Sequence, residues 1–200
     1  MGDYILYQPL TKTDRITVFI YRASIALSGI LLASLAVFAA VYPVVSAGKA
    51  SLYFDIFLVL FYLATGLGVF FIHLYIGSFK RNLKGLYILA LAGLAVILIK
   101  GEGNGLAYLT GTPAAALLLL PVSGCAGFIA AKEAFCFRLV EGYLLMMIMP
   151  LFLMAFSTGA LGKTGVIFGI VLIAALYVFF ASRKVFMPLH CDIGDKSAYR

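Results

Sequence analysis

The sequence predicts an all-α, polytopic transmembrane bundle of six spans with both ends in the cytoplasm. Three observations predict it. Apolar residues make up 64% of the chain and charged residues 12%. Six apolar runs are candidates to cross a bilayer, and the density of lysine and arginine alternates from one connector to the next. Soluble domains average about 45–50% apolar and about 25% charged residues. A chain of 200 residues with a mean hydropathy of +1.10 cannot remove that much apolar surface from water by folding on itself. The same composition excludes a disordered, collagen-like or coiled-coil chain and a small disulfide framework.

A crossing helix needs roughly 20 apolar residues, within about 17–25. The runs between charges place the spans at about 23–42, 52–76, 85–99, 113–131, 142–157 and 164–182. They are helical because the hydrocarbon offers no partner to a backbone N–H or C=O. The first run has 20 residues, longer than the roughly 7–15 of a signal peptide. Although Val45-Ser46-Ala47 after it loosely resembles a signal-peptidase site, the run is therefore read as a retained anchor. The third run is short: 15 residues separate Lys84 from Lys100, covering about 22 Å. It crosses only if both lysines snorkel outward. In the fourth span Pro121, followed by Gly124, predicts a bend, and Pro150 predicts one in the fifth. Gly165 and Gly169 form GxxxG in the sixth span, which packs within the bundle or against a second copy of the chain.

The net charge of +7 reads as a topology signal rather than a nucleic-acid footprint. Segments assigned to the cytoplasm carry 12 lysines and arginines, whereas the outer loops carry 3, at Lys49, Lys100 and Lys163. That bias orients the chain with both termini inside. Gly101 to Gly105 read as a flexible outer loop. Tyr21, Tyr42, Tyr53, Tyr75, Tyr87, Tyr108 and Tyr143 fall near the proposed interfaces and read as an aromatic belt.

No acidic or basic residue falls in the middle of a proposed span; Asp55 sits near the outer start of the second and His73 near its inner end. Ion-coupled carriers commonly place an ionisable group deep in the bundle. A proton-coupled carrier with a midplane carboxylate is thereby disfavoured, and a carrier for a neutral, apolar ligand stays open.

The polar residues concentrate between the fourth and fifth spans. Lys132, Glu133, Arg138 and Glu141 stand within ten residues, interleaved with Phe135, Cys136 and Phe137. No glycine, serine, asparagine or proline interrupts them, so residues 125–143 read as helical, lying in the interface or continuing the flanking spans. In a helix Arg138 can pair with Glu141, whereas Lys132 and Glu133 are neighbours that do not face each other. The candidate polar site is therefore Lys132, Glu133, Cys136, Arg138 and Glu141. It is read as an ion-paired clamp, a cytoplasmic mouth with Glu133 as base or acceptor, or a docking surface. His73, Cys125, His190 and Cys191 are secondary candidates. Their spacing matches no recognised metal pattern, and the three cysteines form no CxxC, so neither a metal, a haem or other cofactor nor a disulfide is expected.

The block Lys132-Glu133-Ala134-Phe135-Cys136-Phe137, followed by Glu141-Gly142-Tyr143 and preceded by Gly124-Cys125, resembles a bacterial family of uncharacterised integral membrane proteins, a domain of unknown function. The resemblance implies a multipass bundle and supplies no activity. The functional expectation is a non-enzymatic accessory or assembly component of a membrane complex, in a bacterial inner or internal photosynthetic membrane. Its partners would be the lipid bilayer and other membrane proteins or a second copy. The alternative is a small transporter gated at residues 132–141, and a membrane enzyme ranks third.

Overall fold

In lipid a segment must keep its backbone hydrogen bonds to itself, which favours helices. The computed structural model describes residues 11–41 and 47–192. Among them the elements are helical: α1 Lys12–Val41, α2 Ala47–Phe71, α3 Gly77–Gly101, α4 Gly105–Gly111, a 3-10 segment Pro113–Leu119, α5 Leu120–Phe137, α6 Val140–Ser157, α7 Lys163–Val185 and a closing 3-10 turn Leu189–Asp192. Six of these stretches are long and apolar enough to cross a membrane, the fourth being the 3-10 segment run on into α5.

Most spans are longer than the runs between charges predict, α1 and α3 by the largest margin. α1 begins at Lys12 rather than near residue 23, because Thr11 and Asp14 form a capping box. The Thr11 hydroxyl takes the Asp14 N–H at 3.2 Å, and the Asp14 carboxylate takes the Thr11 N–H at 2.9 Å. α3 spans 25 residues rather than 15, about 37 Å at 1.5 Å per residue. Lys80, Arg81 and Lys84 do not end it but decorate its first turns, and the Lys84 ammonium lies 5.5 Å from the Phe70 ring centroid. In contrast α2 stops at Phe71, short of residue 76. The connector is drawn onto α1 instead, where Ile72 is buried and His73 meets Thr17.

The bend expected at Pro121 is a 3-10-to-α junction. The ring occupies the first turn of α5, where its missing N–H costs nothing. The junction swings the Leu118 carbonyl against α3: a Cβ at Gly93 would lie 2.5 Å from that oxygen. Pro150 lies inside α6. Gly101 to Gly105 form a pinned turn rather than a flexible loop. Ser51 donates to the Gly103 carbonyl at 3.0 Å, Gly105 N–H donates to Asp55 at 3.0 Å, and Asn104 caps α4 through Ala107.

α1 packs along α7 and α2, and α5 along α6 and α3. Small residues set the closest approach, as expected where van der Waals packing replaces the hydrophobic drive between helices. A Cβ at Gly142 would overlap the Ala130 carbonyl, and one at Gly127 would lie 3.1 Å from Met146 Cα. Gly169 of the GxxxG pair receives the Phe152 ring of the same chain. The core is apolar, with Ile25, Tyr62, Ile97, Leu145, Tyr177 and Phe180 buried. The outside is apolar too: Phe19, Ile30, Ile88, Ile99 and Phe168 are each exposed by more than half, a surface that suits lipid and not water. Of the proposed belt, Tyr53, Tyr75 and Tyr143 are exposed. Tyr42 lies outside the described residues. Tyr21 and Tyr87 are buried and hydrogen-bonded inside the bundle, because α1 and α3 extend past the ends that charge spacing assigned them.

Candidate functional site

The polar cluster forms at one end of the bundle, where α1 begins, α5 and α7 end, and the closing 3-10 turn folds back. α5 runs through Lys132, Glu133 and Cys136 and breaks at Arg138, whose backbone is left-handed at φ 57°. Leu139 is buried at the break and α6 starts one residue later. Residues 125–143 thus continue the two flanking spans.

Glu133 is completely buried. One carboxylate oxygen accepts from the Tyr21 hydroxyl at 2.7 Å and from Lys132 at 2.7 Å; the other faces the ammonium of Lys184. Lys132 and Glu133 therefore do meet, against the expectation from adjacency: the lysine's four-carbon stem folds back over the angle that separates neighbouring helix positions. Lys184 is also completely buried, is paired with Asp192, and sits 4.0 Å from the Phe137 ring centroid. Arg22 completes the network. Its Nε donates to Asp192 at 2.6 Å, and its terminal nitrogens donate to the carbonyls of Val185, Met187 and Pro188. The 186–192 segment is thereby tied to α1.

Three cations, Arg22, Lys132 and Lys184, share two carboxylates, Glu133 and Asp192. The surplus positive charge falls on Lys132, the least buried of the three. Glu141 sits beside this network on α6. It pairs not with Arg138 but with Arg183 of α7, which reaches both carboxylate oxygens at 3.0 Å. Arg138 points to the exterior as the end of α5, and Cys136 is exposed. Cys125 is buried half a span away, its thiol 4.0 Å from the Leu83 carbonyl. For His190 and Cys191 the backbone lies in the closing turn and the side chains fall outside the description.

His73 stands at the same end, outside the spans. The Thr17 hydroxyl spends its proton on the Asp14 carbonyl at 3.0 Å. His73 Nε2 at 3.3 Å must therefore be the donor to it, leaving Nδ1 a buried acceptor without a hydrogen-bond partner among the described residues. Burial, then the charges of Lys132 and Lys80, push the imidazole below its ordinary pKa of 6.5, with Asp192 and Asp14 opposing. The unfolded chain then takes the proton more readily than the folded one. Stability from this group is fully present above pH 6.5 and is lost as the pH falls below it. Thermal unfolding in detergent against pH should show that acid limb, and His73→Gln should flatten it.

Sequence reasoning missed Tyr21, Arg22, Arg183, Lys184 and Asp192. One signal was available: Arg22 interrupts an apolar stretch from Ile16 onward, and an isolated charge in such a stretch calls for a partner.

A second feature lies in the other half of the bundle. A partly open cavity of about 200 Å³ is walled by α1, α2, α4, the 3-10 segment, α5, α6 and α7. Leu32, Phe57, Phe61, Val122, Phe152 and Ile173 are among its apolar lining, and among the described residues no charged side chain lines it. The lining positions on α1, α5 and α7 stand ten or more residues from Arg22, Glu133 and Lys184, about 15 Å along each axis.

Six apolar helices with lipid-suited exteriors, a charge cluster held at one end and an apolar interior define a multipass integral membrane protein. The chain belongs to the family of uncharacterized integral membrane proteins DUF2301, whose model matches residues 67–200. That match takes in Lys132, Glu133, Glu141, Lys184 and Asp192 and leaves Tyr21 and Arg22 before it. Comparison with the curated proteins and with the solved structures gave no match.

Proposed function

We propose that the protein is a non-enzymatic accessory component of its membrane that holds a neutral, lipid-soluble molecule within the helix bundle. The observation that carries this reading is the uncharged cavity of about 200 Å³ among the spans. An apolar cavity of about 150 Å³ is already enough to take benzene. In a bilayer the natural filler is a molecule already dissolved there. The charged cluster plays the supporting part, a clamp that fixes α1, α5, α7 and the closing turn. Its carboxylates are taken up by lysine and arginine, which leaves no unpaired base among them. The lysine–arginine bias supports a chain with both termini in the cytoplasm, in a bacterial inner or internal photosynthetic membrane.

The test is chemical. Protein purified in mild detergent is extracted and its neutral lipids are quantified by mass spectrometry, beside the cavity-filling variant Ala116→Phe. Ala116 is buried and lines the cavity. The unaltered protein should retain a neutral molecule near one per chain and the variant should lose most of it. Equal retention by both would refute the reading.

A small transporter gated at residues 132–141 is the second reading. It is favoured by ion pairs that join three helices and the closing turn at one mouth of the bundle. Accumulation of a solute in vesicles that depends on Glu133 would support it over the first.

A further inference from the structure

We propose that α3 carries a seat for one acidic phospholipid, with Lys80 and Lys84 holding its phosphate and the exposed apolar face of the same helix carrying its chains. The seat is independent of the cavity. Lys80, Lys84, Ile88, Leu91 and Ala95 all lie on α3, and at 100° per residue they fall within about 80° of one another around its axis. The two lysines are half-buried and the three apolar residues are exposed. Long basic side chains lay their stems along the helix and carry the ammonium out to the headgroup level. A charged head over an apolar strip is the outline of a phospholipid. A free phosphate would use only the first two of those positions.

The protein supplies these lysines with no counter-charge. From Ile72 to Gly101 the chain has no aspartate or glutamate. None of the ion pairs among the described residues includes Lys80 or Lys84. The Lys84 ammonium has only the Phe70 ring, 5.5 Å away and itself more than half exposed. Like charges four residues apart on a helix repel each other, so an anion between the two relieves them. The nearby carboxylates are committed: Glu133 and Asp192 to Arg22, Lys132 and Lys184, and Glu141 to Arg183. The cluster adds to the positive field instead of cancelling it. The Phe79 and Phe128 rings stand 6.4 Å apart, which sets the start of α3 against α5 one turn before Lys132, the cation with the surplus charge. The charges of Lys80 and Lys132 both bear on His73. That surplus selects the headgroup: a net negative one neutralises it, whereas a choline headgroup returns a cation to a site already oversupplied. In the orientation proposed above, this end faces the leaflet in which acidic lipids give the surface its negative potential.

The full chain in mild detergent is titrated with phosphatidylglycerol or with phosphatidylcholine of the same chains, and bound lipid is counted by native mass spectrometry. Phosphatidylglycerol should half-saturate one site at a concentration at least roughly 5-fold below phosphatidylcholine, the worth of one basic residue at an acidic membrane surface. Lys80→Gln and Lys84→Gln should each raise the phosphatidylglycerol value by about the same factor and leave the phosphatidylcholine value alone, which also shows that the variants are folded. Lys100→Gln, at the other end of α3, should change neither. Equal half-saturation by the two lipids overturns the seat. So does a preference for phosphatidylglycerol that survives the Lys80→Gln, Lys84→Gln double variant. Sodium phosphate, compared with sodium chloride at matched ionic strength, supplies the last arm. Displacement of phosphatidylglycerol by phosphate beyond that by chloride assigns the lysines to a free anion and overturns the lipid as occupant.

Discussion

Glu133→Ala is expected to destabilise the bundle by about 3–5 kcal/mol, the usual result of stranding a buried charge. Glu133 is fully buried, and its removal leaves Lys184, also fully buried, with Asp192 alone, which Arg22 already claims. Tyr21 loses the acceptor of its hydroxyl in the same step. Thermal unfolding in detergent and the level of folded protein in the membrane both read the loss. The double variant Glu133→Gln, Lys184→Met separates clamp from working site, because replacing both partners of a buried pair by neutral groups is often nearly neutral. Recovery of stability and of the cellular phenotype identifies a clamp. Recovery of stability alone, with the phenotype of a deletion, identifies Glu133 as part of a working site.

Gly142→Val is expected to be the most damaging of the packing changes. The new Cβ would meet the carbonyl of Ala130 and come within 3.0 Å of the Ala134 Cβ. The obstacle is backbone on a facing helix, so no side chain can rotate aside. Overpacking of this kind costs about 1–3 kcal/mol. Gly85→Ala supplies the contrast: its Cβ meets nothing within 4 Å on an exposed face of α3. Alanine should stabilise that helix by up to about 1 kcal/mol. Melting temperatures of the two variants, measured side by side, should move in opposite directions.

Much of the architecture was legible from the chain. Run length and charge spacing located six spans, and residues 132–141 were singled out by being charged where apolar sequence surrounds them. The ends were less legible. Charges are poor span limits: Lys80, Arg81 and Lys84 ride on the first turns of α3, since a long basic side chain can leave the lipid while its backbone stays helical. The Thr11 and Asp14 capping box was readable and marks the true start of α1. Pairing within the cluster was the least legible. The i,i+3 rule joined Arg138 to Glu141, but a left-handed residue at 138 ends the helix between them and hands Glu141 to α7.

The amino-acid order alone determined that this chain lives in lipid, that it does so as helices, and how many there are. Those facts depend on local apolar content and on backbone groups that a segment must satisfy by itself. The partners of Glu133 and the existence of the cavity were decided by the assembled bundle. Tyr21 lies 112 residues from Glu133, and Arg22 lies 170 from Asp192. Helical periodicity says which face a residue occupies. Only the packing of six helices says which other face it meets, and where they fail to touch.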